Sequence, residues 1–405
     1  MVTRTATALL KACADVRDGT AAEGVLGVAP KYVAAPATVA EAGEVMRVAA
    51  ERGLTVVPRG GETRLDWGRP PAGCDLLVDT VRLDRVVEHA AGDLVIKVEA
   101  GLTMERLAEL LAAQGQQLAL DIPLPGSTVG GTLATAAAGP RRLLYGSARD
   151  LLIGVTIVRA DGTIAKAGGK VVKNVAGYDL GKLLTGSYGT LGLIVEAAFR
   201  LHPVPAAQAY ITRTVPDPAG AHQAVQAVLH SAVVPSAIEV DAPADGPITV
   251  AVLVEGVAES IPSRGAEVAR LLTEDARISD DPPPWWSRYP EGSTLIEVAA
   301  PPAALAEVLS HADSHVSIRG SAGSGHWQVG VPAETPPAKV AALVDGLRTA
   351  LAPHRGSAVV RYAPEAVRDE IDLWGPVPAL SLMRRVKDQF DPEHRLSPGR
   401  FVGGI

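Results

Sequence analysis

Cysteine and aromatic residues are the scarcest features of this chain. Its two cysteines, Cys13 and Cys74, in 405 residues exclude a disulfide framework and fall short of the four thiolates that an iron–sulfur cluster usually takes. Any such cluster belongs on a partner. Phe, Trp and Tyr make up 4% of the chain, so the packing relies on Ala, Val and Leu, which suits helices laid on sheets. There is no excess of base either: 38 Lys and Arg stand against 45 Asp and Glu, a net charge of −7. Such a chain has no field to draw nucleic acid or an anionic membrane, and no nucleic-acid partner is expected. The N-terminal "MVTRTATALLKACADVRDG" breaks at Lys11 and lacks the long apolar region and cleavage site of a secretory signal, so a cytoplasmic location is expected. The uncharged stretch over residues 122–140 approaches membrane-spanning length, but its Gly, Pro and hydroxyl residues would leave backbone groups unsatisfied in lipid. Direct membrane insertion is not expected.

What the chain has in quantity is small apolar residue and glycine. With 47% apolar and 20% charged residues a sizeable core is affordable, and at about 150 residues per domain the length suggests two or three domains. Apolar residues at Val39, Ala42, Val45, Met46 and Ala49 predict a helix over 37–53 closed by Gly53. "LTVVPRGGETRL" reads as a short buried strand opening into a tight loop, and 74–101 as strands around a turn at Ala91-Gly92-Asp93. Thr103 N-caps a helix ending near Gly115, and Asp161-Gly162 turns a hairpin. From residue 206 strands and helices alternate, which predicts a second α+β domain, with "DDPPPWWSRYP" (280–290) as a surface loop. The last residues read as a basic amphipathic helix and a Pro- and Gly-punctuated tail that returns to the first domain.

Three glycine-rich segments lie on predicted loops: "PRGGETR" (58–64), "PGSTVGGTLATAAAG" (125–139) and "GSYGTLG" (186–192). Backbone N–H groups without a neighbouring Cβ can approach a diphosphate closely. The run after Gly130-Gly131 can start a helix whose first amides point toward an anion. Tight turns and close strand packing would explain one such loop equally well; three in one region, with Arg59 in the first, point to a dinucleotide. The G-x-G-x-x-G spacing of a nicotinamide-binding Rossmann fold is missing.

These segments, with "KNVAGYDLGKLLTGSYGTLGLIVE" and the tail "FDPEHRLSPGRF", resemble the FAD-binding domain of the vanillyl-alcohol-oxidase (PCMH-type) flavoprotein family. Within it, "GGKVVKNVAGYDL" on a short chain resembles the E-type FAD-binding subunits of bacterial glycolate oxidase. The resemblance implies an α+β fold: a two-part FAD-binding domain over 25–205, an α+β cap or substrate domain over 206–370, and a C-terminal segment over 371–405 packing back on the FAD domain. It implies that Arg59, Gly60, Gly61, Glu62 and Thr63 wrap the FAD pyrophosphate. Pro125, Gly126, Ser127, Gly130, Gly131, Thr132 and Gly139 would then lie along diphosphate and flavin. Gly146, Ser147 and Asp150 would approach the flavin, and Gly192, Leu193 and Ile194 would run beside the adenosine. On this reading the long stretch is bare because a cofactor takes the place of side chains.

Two departures from the family pattern bear on function. Thr63 stands where covalently flavinylated members carry His, which implies dissociable FAD. Relatives that oxidise 2-hydroxy acids carry His-x-Gly-Asp-Gly-x-x-His, with metal ligands and a base; here "GSAGSGHWQVG" places Ser321, Ser324 and Gln328 at those positions. No metal is expected, His326 reads as a satisfied or solvent-facing histidine, and no catalytic residue is assigned. The resemblance therefore implies the FAD-binding subunit of a glycolate oxidase complex, which converts glycolate or a related 2-hydroxy acid to the 2-oxo acid. Its partners would be a larger homologous FAD subunit that performs the oxidation and an iron–sulfur subunit that takes the electrons, through which the chain would sit peripheral to the inner membrane face. A stand-alone FAD-dependent dehydrogenase of another small hydroxy acid or alcohol, and a non-catalytic scaffold, stay open. Lys166, Lys170, Lys173 and Lys182 against Asp179 form either a solvated face or a docking surface, Tyr178 and Asp179 read as structural, and Trp285 and Trp286 as a packed loop.

Overall fold

In a computed structural model, which describes residues 4–169, 179–273, 275–311 and 315–405, the Thr38 hydroxyl accepts the Glu41 amide and starts the helix Val39–Glu51. Its Ala42, Val45, Met46 and Ala49 form the inward stripe expected of a 3.6-residue period, and all are fully buried. The stripe shares a core with Leu76 and Val78 on one sheet and with Val158 and Val195 on another. The first of these sheets has four strands in the order Val16–Asp18, Tyr32–Ala34, Leu76–Asp79, Val56–Arg59, with parallel pairing among the last three. The second is antiparallel, in the order Val86–Ala90, Val95–Glu99, Leu193–Arg200, Leu152–Val158, Ile164–Gly168. Gly162 takes a left-handed φ of +87° in the hairpin joining the last two, the conformation expected of Asp-Gly at a tight turn.

On its other face the five-stranded sheet packs against the helices Met104–Ala112 and Val129–Thr135 through Leu107, Leu111, Val129 and Leu133. Thr103 and Thr128 cap these helices, each hydroxyl accepting the amide three residues on. A third, antiparallel sheet of eight strands runs Arg277–Ser279, Ala207–Val215, Ile248–Gly256, Ala237–Ala242, Ser317–Ser321, His326–Val331, Thr294–Ala299, Ser357–Tyr362. Helices Pro218–Leu229, Ile261–Leu272 and Pro337–Leu351 contribute to a core with it. The Pro-rich segment 280–290 has no regular structure. Trp286 packs edge-on against Tyr210 with ring centroids 5.1 Å apart, and Arg319 lies 5.9 Å from the Trp285 ring.

The C-terminal helix Leu380–Phe390 and the tail after it bind back onto the first two sheets. Val56 donates its amide to the Arg395 carbonyl and accepts that of Ser397, while the Arg395 guanidinium reaches the Ala160 carbonyl at 2.7 Å. Lys387 is fully buried; its ammonium donates to the Thr190 and Leu396 carbonyls and to Asp391. Among the described residues no helix is long and apolar enough to cross a membrane.

Candidate functional site

The strand Val56–Arg59 ends at an open cleft of about 550 Å³ lined by the loop that follows it. Glu62 holds a left-handed φ of +61°. Among the described residues, the five amides of Gly60, Gly61, Glu62, Thr63 and Arg64 donate to no other protein atom. Consecutive unpaired N–H groups around a left-handed residue make an anion-binding nest, and groups of this kind demand a partner. The loop is held in place from behind. A Cβ on Gly61 would stand 1.9 Å from the Gly126 carbonyl oxygen, and one on Gly60 would meet the Thr128 hydroxyl at 2.4 Å. Ser127 stitches the two loops together, 3.1 Å from both the Thr63 hydroxyl and the Arg64 guanidinium.

The second loop differs from expectation in one physical respect. Its helix begins at Val129, before Gly130-Gly131, and the first-turn amides are already used. Val129 donates to the Leu102 carbonyl, Gly130 to that of Ala100, and Gly131 to the Thr128 hydroxyl. The anion-facing amides are therefore those of the first loop. Gly131 and Ala134 form a low wall, continued by Gly189, and this wall joins the cleft to a neighbouring one of about 380 Å³. Gly139 is tight for a different reason, since a Cβ there would sit 2.2 Å from the Asp121 carbonyl oxygen. The stretch is thus bare on two accounts: it lines a cleft, and the protein's own backbone presses against it.

Charge is distributed in the same way. Arg59 lines the adjoining cleft, while its guanidinium is engaged by Asp79 at 2.6 Å, Glu62 at 3.0 Å and Glu23 at 3.4 Å. The cations facing the cleft are Arg64 and Arg400. Arg64 is 6% exposed with Nε and Nη2 unpartnered; Arg400 is 4% exposed with Nε unpartnered. Tyr188 completes the lining, and its hydroxyl accepts a 2.8 Å bond from Arg361 on the eight-stranded sheet. Sequence reasoning assigned none of these three, although "SYG" and "SPGR" lay inside segments that carried the resemblance. A buried arginine without a carboxylate is visible only once the fold has placed it.

The remaining expected residues fall as follows. Gly60, Gly61, Glu62, Thr63 and Gly131 line the larger cleft, and Gly130, Gly192, Leu193 and Ile194 the adjoining one. Thr132 is buried with its hydroxyl unpartnered. Gly126 donates its amide to Glu105, and Pro125 is exposed. Gly146, Ser147 and Asp150 build the start of a helix, with both the Ser147 amide and hydroxyl 2.8 Å from the Asp150 carboxylate. Lys170, Lys173 and Tyr178 lie outside the described residues, and Lys182 pairs with Asp179.

A second, polar pocket of about 370 Å³ opens between the far end of the glycine stretch and the eight-stranded sheet. Gly139 and Arg142 line one side, and Glu239, Ser321, His326 and Gln328 the other. Tyr289, also on its wall, comes within 6.2 Å of the Trp67 ring, over which both Arg64 and Arg361 lie at 5.5 Å. The two cavities are thus joined by one aromatic and cationic partition. Burial pushes the Glu239 carboxyl up to about 8. His326 is half-buried, and among the described residues its one hydrogen bond runs from Nδ1 to the Ser324 carbonyl at 2.8 Å. Burial, and then the nearby Arg142 charge, hold its pKa below the ordinary histidine value.

The cleft fits FAD in the terms this chain sets: an unpaired amide nest and two undercompensated guanidinium groups suit a diphosphate, and a glycine–alanine wall suits a flat ring system. Residues 30–168 match the FAD-binding domain family model. D-2-hydroxyglutarate dehydrogenase of Xanthomonas citri is 36% identical over 44% of this chain and 38% of its own length. The glycolate oxidase subunit GlcE of Escherichia coli is 37% identical over 40% of this chain and 46% of its own. An uncharacterized FAD-linked oxidoreductase of Mycobacterium tuberculosis matches from end to end, at 27% identity over 92% of this chain and 91% of its own. The chain therefore spans under half the length of two of these relatives. Among solved structures, carbohydrate oxidase from Microdochium nivale shares the fold with a TM-score of 0.71 at 17% identity, covering 97% of this chain and 98% of that one. Taken with the amide nest, these matches show an FAD-binding domain over residues 30–168, on a chain similar in sequence to FAD-linked oxidoreductases, in line with the resemblance to the PCMH-type flavoproteins.

Proposed function

We propose that the chain is an FAD-dependent oxidoreductase that converts a small 2-hydroxy acid to the 2-oxo acid, and that it works as the FAD-binding subunit of a glycolate oxidase-type assembly. The observation that carries the cofactor side is the run of five amides at residues 60–64, unpaired among the described residues, in a cleft that Arg64 and Arg400 also line. The substrate class is supported by relatives named as glycolate oxidase subunits, D-2-hydroxyglutarate dehydrogenase and D-lactate dehydrogenase.

In this reading the first loop, Arg64 and Arg400 hold the diphosphate, and Gly131, Ala134 and Gly189 give the flat ring room. FAD supplies the two-electron acceptor when bound. Thr63 offers no imidazole for a covalent link, and its hydroxyl is occupied by Ser127, so the cofactor is dissociable. The assembly reading rests on the thiols. Cys13 and Cys74 are both buried, they sit in separate cores, and burial raises the pKa of each, that of Cys74 to about 11. Neither is poised as a thiolate ligand, so one-electron carriage belongs to an iron–sulfur partner.

The test is spectroscopic. Purified protein is expected to carry FAD that acid precipitation releases into the supernatant, and anaerobic glycolate, D-lactate or D-2-hydroxyglutarate is expected to bleach its visible band. Protein that neither holds nor takes up FAD overturns the cofactor reading; bound FAD that none of the three acids bleaches overturns the substrate class. Purification from the native host, with flavin and iron assayed in the same fractions, tests the assembly.

A further inference from the structure

The polar pocket contains three groups that the fold leaves incompletely partnered. Arg142 opens the helix Arg142–Tyr145 at the end of the glycine stretch. Among the described residues its guanidinium makes no hydrogen bond and no ion pair within 4 Å. A second half-buried arginine of this wall is spoken for: Arg319 pairs with Asp241 at 2.7 Å and donates to the Arg288 and Tyr289 carbonyls, while Arg288 itself is exposed. Glu239 is 4% exposed, and its Oε1 has no partner. Across the strands it stands opposite Ser321, which is equally buried and whose hydroxyl is near enough to favour the Glu239 carboxylate.

His326 supplies the third group. A carbonyl accepts and cannot donate, so Nδ1 must carry the ring proton that Ser324 accepts. Nε2 of the neutral ring is then a lone pair in the pocket. Glu239 kept neutral by burial leaves Arg142 as the net charge among these three. A half-buried cation with no carboxylate within 4 Å, on which Glu297 acts only from farther off, beside a neutral carboxyl and a ring nitrogen that can only accept, is arranged for a small anion that also bears a hydroxyl.

We propose that this pocket is the substrate site, in which Arg142 binds the substrate carboxylate and Nε2 of His326 accepts the proton of its 2-hydroxyl group. The proposal rests on the hydroxy acid reading above and assigns that reading its residues. In the oxidation the hydroxyl O–H bond breaks and its proton goes to Nε2. The carbinol C–H bond breaks with its electron pair going to the two-electron acceptor, and the C–O bond becomes the carbonyl of the 2-oxo acid. Glu239, as a neutral donor, and Ser321 are positioned to hydrogen-bond the bound oxygens.

Oxalate, a dicarboxylate with no hydrogen to lose, separates binding from reaction. Full-length FAD-loaded protein is titrated with oxalate calorimetrically. The wild type is expected to bind it, and Arg142→Met to bind at least about 30-fold more weakly. Arg142→Lys, which keeps the charge and guards against a folding defect, is expected to fall between them. His326→Gln is expected to retain oxalate binding but to slow anaerobic flavin reduction by a 2-hydroxy acid by at least about 100-fold, with loss of the acidic limb of its pH profile. No oxalate binding by the wild type, or equal binding by Arg142→Met, overturns the carboxylate site. Unchanged reduction in His326→Gln overturns the proton role. Bound FAD that no 2-hydroxy acid reduces overturns the proposed reaction and the proton role with it, while the carboxylate site is judged by oxalate alone.

Discussion

Gly61 and Glu239 mark opposite ways in which a single residue commits this chain. The first has no room for a methyl group, since its Cβ would be driven into the Gly126 carbonyl. Gly61→Ala must part the two loops and spread the amide nest. The expected cost is about 1–3 kcal/mol of stability, together with loss of FAD during gel filtration. Gly92→Ala, whose Cβ meets nothing within 4 Å, is the control and should stay within about 0.5 kcal/mol of wild type. Glu239 has room but no counter-charge in contact. Burial, set against a weaker favourable hydrogen bond from Ser321 and a smaller effect of Arg142, raises its folded pKa from 4.5 to about 8. The folded state thus holds a proton that the unfolded chain gives up near its ordinary carboxylate pKa, so the stability Glu239 contributes is complete in acid and lost as pH rises through about 8. Glu239→Gln, which keeps the neutral donor, should therefore gain on wild type in thermal melts as pH rises, and the difference should level off above that pH. A difference that shrinks with rising pH would mean that Glu239 is ionised in the native protein.

At the scale of elements, the strands and helices of the cofactor half were legible because each announces itself locally. The helical stripe of 39–51, the threonine cap at 103 and the Asp-Gly hairpin turn all stand where their patterns put them, whereas the Thr128 cap, one turn earlier than expected, went unread. What a pattern does not carry is the fate of polar groups that meet partners far along the chain. The amides of Val129 and Gly130 end on carbonyls of Leu102 and Ala100, and the Arg59 guanidinium ends on Asp79 and Glu23. Arg400 reaches the cleft from the other end of the sequence and donates to the carbonyls of Leu65 and Trp67. The C-terminal helix depends on such a distant bond. The Lys387 and Asp391 side chains are 1% and 0% exposed, and the lysine also clasps carbonyls of the tail and of Thr190. Lys387→Met removes the cation and strands Asp391, whose carboxylate also receives the Leu396 amide. The expected cost is about 3–5 kcal/mol, read as a lower denaturant midpoint. The double variant Lys387→Met, Asp391→Leu should recover part of it, because no charge is then left alone.

For the whole molecule the question is whether the cofactor half and the eight-stranded sheet behave as one cooperative unit. Among the described residues several polar links cross between them. Arg141 meets Glu255 at 3.2 Å and Tyr145 donates to the same carboxylate at 3.3 Å, the Gly68 amide donates to the Arg361 carbonyl, and Arg361 bridges Tyr188 and Glu297. The last link does most to tie fold to function, because Tyr188 lines the cofactor cleft while Glu297 belongs to the sheet beside the substrate pocket. Burial alone would raise the Glu297 pKa, but the charge and hydrogen bond of Arg361 outweigh it and hold the carboxyl below its ordinary range. Arg361→Met leaves that carboxylate uncompensated and the Tyr188 hydroxyl without its donor. Glu297 keeps 29% of its side chain exposed, so the expected loss is roughly 2 kcal/mol rather than the 3–5 kcal/mol of a fully buried pair. Calorimetry of the wild type should give one unfolding transition, and the variant should split it into two, with FAD lost at the lower one. A variant that still unfolds in one step and keeps its FAD would mean that packing between the two halves, and not this arginine, couples cofactor to cap.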